Sequence, residues 1–404
     1  MKSSDCLIGS LLKLERTKQE KSQRETCYGI CVPSYLSKIE KGSVSADKKI
    51  LEKLFQKLEI HYEINPEFTT AYRVKLEEYY HKIYFNFETE ECYQELLKKD
   101  MELSHSELAI DWLIIKSQKD EYTTLLLKEI ENQMTVKQKS KFQVFCGQHN
   151  FFDFNEEEFK EFEEACEILN QSYGYLLLCY QYLSRGEYAA IHRLENRITT
   201  MALQEGNLFS LADYYMVKGT AYGCLDMDEM MMDYYGRVIS LLENTGWRER
   251  LVDIYYNIGA TLISLKNYNV ALTYLGKAEV EFGICGSSLY HKKAIALIRM
   301  GKIEEATIAL DQMKNVMEKN ELTLSADWLK YQEACMECHE GYLHNPEYLT
   351  LLEELIEAIK KDYHFGHLYF YKEIIIDTYV AQRKYKKALE FEQKLSLVVR
   401  KNNT

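Results

Sequence analysis

The side chains best placed to do chemistry lie between Ser22 and Gly42, in the run SQRETCYGICVPSYLSKIEKG. Gln23 is a carboxamide, Ser34 and Ser37 are hydroxyls, Tyr35 is a phenol and Lys38 is a cation. This mixture of donors, acceptors and positive charge suits hydrogen bonding to phosphates and base edges better than covalent catalysis. A second cluster, Cys335, Cys338 and His339, spells C-x-x-C-H, the attachment sequence for c-type haem. It sits inside a helix-period stretch, among 11 cysteines scattered without regular spacing and with no export signal ahead of it, so these cysteines read as small buried apolar residues. No phosphate-cradling glycine loop, H-E-x-x-H or nucleophile elbow occurs, and the expectation is a non-enzyme with no cofactor and no metal.

The elements that must position the first cluster follow from local signals. Ser22 and Glu25 form an S-x-x-E capping box that starts a short helix. Gln23 falls in its first turn, where an amide and nearby backbone N–H groups meet a DNA phosphate. Gly29 loosens the turn that follows, Pro33 suits the first position of the next helix, and Gly42 suits the left-handed residue that ends it. Leu36 and Ile39 are spaced to face a core. That leaves Pro33, Ser34, Tyr35, Ser37 and Lys38 outward, at groove-reading positions. On the flanks, Ile8, Leu11, Leu12 and Glu15 recur at helical spacing, while Ser45 with Asp47 starts a further helix striped by Ile50, Leu51, Leu54 and Leu58. Residues 5 to 60 resemble the five-helix DNA-binding domain of the Cro and lambda-repressor type, the XRE family. The resemblance implies a structural pair between an arginine of the first helix and the glutamate ending the recognition helix, here Arg16 and Glu40.

Charge is segregated along the 404 residues. Residues 1 to 60 hold 12 Lys and Arg against 8 Asp and Glu, which leaves −17 for the remainder of a chain whose net charge is −13. A basic head on an acidic body fits a head that meets phosphate and a body that does not. No run approaches 18 apolar residues, so no membrane partner is expected and the chain is read as cytoplasmic. Tyrosine is abundant, at 32, and proline scarce, at 3, which favours long uninterrupted helices.

From about residue 66 onward the periodicity is helical throughout, so the fold class is all-α. A template recurs near every 40 residues: KGTAYGCLDMDEMMMDYY, NIGATLISLKNYNVALTYL, KAIALIRMGKIEEATIAL and IIDTYVAQRKYKKALEF. It places a small residue in a first helix and an alanine twelve residues later, as in Gly259 with Ala271 and Ala294 with Ala306, while Ile376 with Ala388 keeps only the second. Small residues suit helices that approach closely. The pattern resembles a divergent tetratricopeptide repeat, with anchors at Cys179, Gly219, Gly259, Ala294, Cys335 and Ile376. The expected organisation is a helix-turn-helix domain over 1–62, irregular helical pairs over 63–171 and tetratricopeptide-like repeats over 172–404, the last binding ligand and forming the dimer. Ser104 and Glu107 look like another capping box, and residues 60 to 67 like the junction between head and body. On the template, Tyr256, Asn257 and Ser264 of one helix and His291, Lys292 and Arg299 of the next face a common groove. The asparagine amide suits a peptide backbone, and the cations Lys292 and Arg299 suit a terminal carboxylate.

An XRE-type head on a divergent tetratricopeptide body resembles the peptide-pheromone receptors of Gram-positive bacteria, the Rap, Rgg, NprR, PlcR and PrgX group. GICVPSYLSKIEKG carries the shortened turn and Ile-Cys pair of a PlcR-like head. The resemblance implies a homodimeric transcription regulator in quorum sensing, in which a short signalling peptide alters dimer geometry on a double-stranded operator, with Asn257 at the position that grips the peptide backbone. No second asparagine stands at the matching places, which hold Val217 and Lys292. Two alternatives share the layout: a tetratricopeptide module that sequesters a response regulator or another protein, and a phage-encoded peptide receptor controlling lysis and lysogeny.

Overall fold

The computed structural model describes residues 4–44, 46–61, 65–131, 134–149, 155–225, 227–243, 249–282, 286–319, 326–362 and 365–401. Those residues form helices and connecting turns, with no strand among them. The chain divides into two compact units, Met1–Leu177 and Leu178–Thr404.

Unit 1 opens with α1 (Ser4–Lys18), α2 (Gln23–Cys27), α3 (Pro33–Glu40) and α4 (Lys48–Lys57). It continues through α5 (Pro66–Tyr84), α6 (Glu90–Leu97), α7 (Asp100–Ser104), α8 (Ala109–Lys116), α9 (Glu121–Ile130), α10 (Val136–His149) and α11 (Glu156–Leu169). α12 (Ser172–Arg185) crosses the division. The head has a core of its own, in which Leu12, Cys27, Leu36, Ile39, Leu54, Leu58 and Ile60 are buried together. Burying each leucine or isoleucine contributes about 1.5–3 kcal/mol. Local chemistry sets the ends of these helices. The Ser22–Glu25 capping box is formed in both directions, Pro33 is the first residue of α3, and Gly42 ends α3 at φ +62°. At that end the Ser43 N–H donates to the Lys38 carbonyl and the Gly42 N–H to that of Ile39, the bonding of a Schellman motif. Asp47 caps α4. Ser45, expected to help it, lies outside the described residues, as do residues 62–64 of the expected junction; Asn65 and Pro66 begin α5.

The box expected from Ser104 and Glu107 does not form. Ser104 ends α7 and its hydroxyl bonds Asp100, while Glu107 pairs with Arg73 at 3.0 Å. Ser106 sits in the turn before α8, its hydroxyl donating to the Leu103 carbonyl and accepting the Leu108 N–H, and Leu108 starts α8 as its N-cap with no side-chain cap. Spacing alone cannot tell which of two nearby serines sits where the chain turns.

Unit 2 runs through α13 (Tyr188–Arg193), α14 (Glu195–Glu205), α15 (Leu208–Cys224), α16 (Asp228–Glu243), α17 (Glu249–Ser264), α18 (Tyr268–Phe282), α19 (Ser287–Arg299), α20 (Ile303–Lys319), α21 (Ala326–Glu337), α22 (Pro346–Asp362), α23 (Phe365–Phe370), α24 (Lys372–Ala381) and α25 (Tyr385–Lys401). Helices pack in consecutive pairs, α15 with α16, α17 with α18, α19 with α20, α21 with α22 and α24 with α25. The small anchors lie where the helices of a pair meet. A Cβ added at Gly259 would stand 2.6 Å from Leu275 Cγ, and one at Gly219 would stand 2.8 Å from the Tyr235 ring. Ala271, Ala294 and Ala306 are fully buried in the same core. α23 departs from the template: it packs against α22 and α24 beside it in the chain and against α15 and α17.

Candidate functional site

Two places bring chemistry-bearing residues together, one in each unit. In the head, α3 turns Leu36 and Ile39 inward and leaves Pro33, Ser34 and Lys38 exposed. Tyr35 and Ser37, expected on the same outward face, are half-buried, and Tyr35 packs against the head core. Gln23 is committed elsewhere. Its carboxamide donates to Glu40 Oε2 at 2.7 Å, so it is held by the protein instead of standing free for a phosphate. Glu40 also accepts from Arg16 Nε at 2.6 Å and Nη2 at 3.1 Å, and Arg16 Nη1 donates to the Lys21 carbonyl at 2.9 Å. Arg16, Gln23 and Glu40 thus make one network joining α1, α2 and α3. Glu40 is only 2% exposed, and a carboxylate that dry needs these donors.

Sequence reasoning placed Gly29 in the turn between α2 and α3 but passed over the exposed side chains beside it. Tyr28 is 78% exposed and Val32 61% exposed, beside the start of α3. Gly29 between them adopts φ +76°, with open space around it, so backbone conformation and not crowding selects glycine there. The signal was present in the sequence: an aromatic residue directly before a turn glycine has no inward direction to take.

In unit 2, residues of α15, α16, α17, α19 and α23 line an open cavity of about 70 Å³. Tyr256, Asn257, Ser264 and Lys292 line it, as the repeat register expects. The register did not supply His367, Tyr369 and Phe370, which line the wall given by α23. Thr220 and Thr261 add hydroxyls, and no Asp or Glu is among the lining residues. Asn257 is half-buried and its carboxamide makes no hydrogen bond among the described residues. Lys292 is 4% exposed, with its ammonium 2.9 Å from the centroid of the Phe370 ring and 5.4 Å from that of Tyr371. Burial pushes its pKa well down, and the nearby Lys330 charge adds to the effect.

His291 and Arg299 do not reach the cavity, which corrects their expected place in the groove. His291 is fully buried, its Nε2 3.0 Å from Glu333 Oε2. Arg299 donates to Glu337 Oε1 at 2.9 Å and to the Tyr342 hydroxyl at 2.7 Å, and the Tyr348 hydroxyl donates to the same Glu337 oxygen. Burial pushes Glu333 well up, with the neighbouring Glu337 adding to it, and pushes His291 well down. Burial thus works against the charged form of both partners in the Glu333–His291 contact. Together these residues bind α19 to α21. The register gave the correct face of α19 but not the neighbouring helix that covers part of it; Glu333 and Glu337, four apart on α21, were the available signal.

The cysteines of the C-x-x-C-H match are half-buried at the end of α21, where the Cys338 thiol donates to the Ala334 carbonyl. Among the described residues no helix is long and apolar enough to cross a membrane.

No protein-family model matches the chain, and no curated protein does. A solved structure similar to it is that of Bacillus thuringiensis PlcR in complex with the peptide PapR7 and DNA, at 16% identity over 78% of this chain and 95% of that chain, with a TM-score of 0.29.

Proposed function

We propose that the chain is a cytoplasmic, homodimeric, non-enzymatic transcription regulator that reads duplex DNA through α3 and binds a short signalling peptide in the cavity of unit 2. The observation that carries the reading is the outward face of α3. Pro33, Ser34 and Lys38 are exposed on a helix whose other face is anchored in the head core, and neither Ser34 nor Lys38 has a side-chain partner among the described residues. A helix held rigidly from behind, with free polar groups and a cation in front, is the arrangement a major-groove reader needs. The basic balance of residues 1 to 60 supports it. The free carboxamide of Asn257 supports the peptide part, because an extended chain must satisfy both its N–H and C=O groups and one amide serves both.

Regulation then follows as a population shift. A peptide that binds one conformation of unit 2 more tightly favours it, and in a dimer this sets the spacing of two heads against half-sites about 34 Å apart. The test is fluorescence anisotropy of the full-length protein on fragments of its own promoter, with and without the small-peptide fraction of spent culture medium. Salt-sensitive, sequence-selective binding that shifts with the fraction is the expected result. Absence of DNA binding in all conditions overturns the regulator reading in favour of a sequestering module.

A further inference from the structure

Buried cations in this protein come with carboxylates. Lys141 pairs with Glu77 at 3.2 Å, Lys330 with Asp327 at 3.0 Å, Lys218 with Glu195, and half-buried Arg299 with Glu337 at 2.9 Å. Lys292 breaks the pattern. It is as deeply buried as the others, it lines the cavity, and no carboxylate bonds it among the described residues. Its acidic neighbour Glu333 lies within electrostatic reach but makes its hydrogen bond to His291. The face of Phe370 attracts the ammonium but accepts none of its directional N–H bonds. A buried lysine with no bonded counter-charge either gives up its proton or takes a partner from outside, and the open cavity beside Lys292 gives such a partner a way in.

We infer that the cavity takes a ligand bearing a carboxylate, which pairs with Lys292 alone while Asn257 holds the ligand's amide groups. The inference rests on the reading of this cavity as a ligand site and names the chemistry of its occupant. Arg299, with its donors spent on Glu337 and Tyr342, takes no part. The carboxylate has three possible sources: a peptide C-terminus, an Asp or Glu side chain of a peptide, or a small organic acid.

The test is thermal melting of the full-length protein with four probes: degenerate pentapeptides with free C-termini, the same pool as C-terminal amides, an amide pool lacking Asp and Glu, and 3-phenylpropionate. The expected result is a higher Tm for the wild type with the free-acid pool, and no shift with that pool for Lys292→Met. Loss of the shift on amidation assigns the C-terminus, and its survival in the amide pool containing Asp and Glu assigns a side chain. A Lys292-dependent shift with 3-phenylpropionate and with no peptide pool upholds the carboxylate and overturns the peptide reading. Equal shifts with the Asp- and Glu-free amides, or a full shift in Lys292→Met, overturn the carboxylate and leave the peptide reading standing. No shift with any probe overturns both. A second measurement needs no ligand. Lys292→Met removes an uncompensated buried amine and melts about 2–4 °C higher than the wild type when empty, whereas Lys218→Met, which strips Glu195 of its partner, melts lower. A lower Tm for Lys292→Met overturns the inference, since Lys292 would then already be compensated.

Discussion

Glu40 ends the helix that faces outward from the head, yet its own side chain points the other way, into a shell of three donors from Arg16 and Gln23. Removing the guanidinium leaves a dry carboxylate with one amide donor. Arg16→Met therefore destabilises the head by about 3–5 kcal/mol, the cost of breaking a buried pair, read from urea unfolding. Gln23→Ala costs about 1 kcal/mol, one hydrogen bond, in the same measurement, and any loss of DNA affinity it causes tracks that lost stability and not a missing phosphate contact. Side-chain destinations are the least legible scale in the sequence. Gln23, His291 and Arg299 each stand on the helix that periodicity assigns them, but the partner that claims each one comes from another element, 17, 42 and 38 residues away along the chain. Lys292, beside His291 in sequence, reaches the cavity because no acid of α21 bonds it.

Between elements, contact is decided by how closely backbones approach. Gly9 of α1 lies against α3 so tightly that an added Cβ would stand 2.0 Å from the Ile39 carbonyl oxygen. Gly9→Ala therefore pushes α1 off α3 and lowers stability by about 1–3 kcal/mol, the usual cost of overpacking, measurable by chemical unfolding. Glu15, on the same helix, links α1 to the residue after α7. It lies 3.6 Å from His105 and 2.7 Å from Lys18. Burial raises its pKa, but the hydrogen bonds to His105 and Lys18 outweigh burial and hold the carboxyl at about 2, against an ordinary 4.5. A depressed carboxyl contributes stability that is full above its unfolded value and lost as pH falls through its folded one. Stability of unit 1 is thus expected to decline between pH 4.5 and 2, with a shallower decline in Glu15→Gln. Helix ends were legible at Ser22, Pro33, Gly42 and Asp47, where one residue's chemistry fixes each. They were not at the start of α8, which has no side-chain cap. The Asn155–Glu158 box that starts α11 has the same form as the Ser22 box with an amide in place of the hydroxyl, and it went unread for that reason.

For the whole molecule, the two sites lie in different units, so their losses separate. Lys38→Ala is expected to weaken DNA binding by about 1–3 kcal/mol and to reduce its salt dependence without changing any ligand-induced shift in Tm. Asn257→Ala has the reverse effect, sparing DNA affinity in anisotropy while abolishing its response to the peptide fraction. Loss of both activities in Asn257→Ala would overturn the separation. The paired helices of unit 2 were legible because each repeat carries its own copy of the packing rule, a small residue where two helices meet. α23 was illegible because it obeys no repeat, and it supplies His367, Tyr369 and Phe370 to the cavity.

That wall also orders events in time. The cavity draws on residues from Thr220 to Phe370, so it is incomplete until nearly the whole chain has left the ribosome. The head core ends at Ile60. At about 5–20 residues per second, a nascent chain carries a foldable helix-turn-helix for roughly 15–60 s before it can hold any ligand. Each newly made molecule thus passes through an interval in which the cavity is incomplete, and what it does in that interval is set by the empty state.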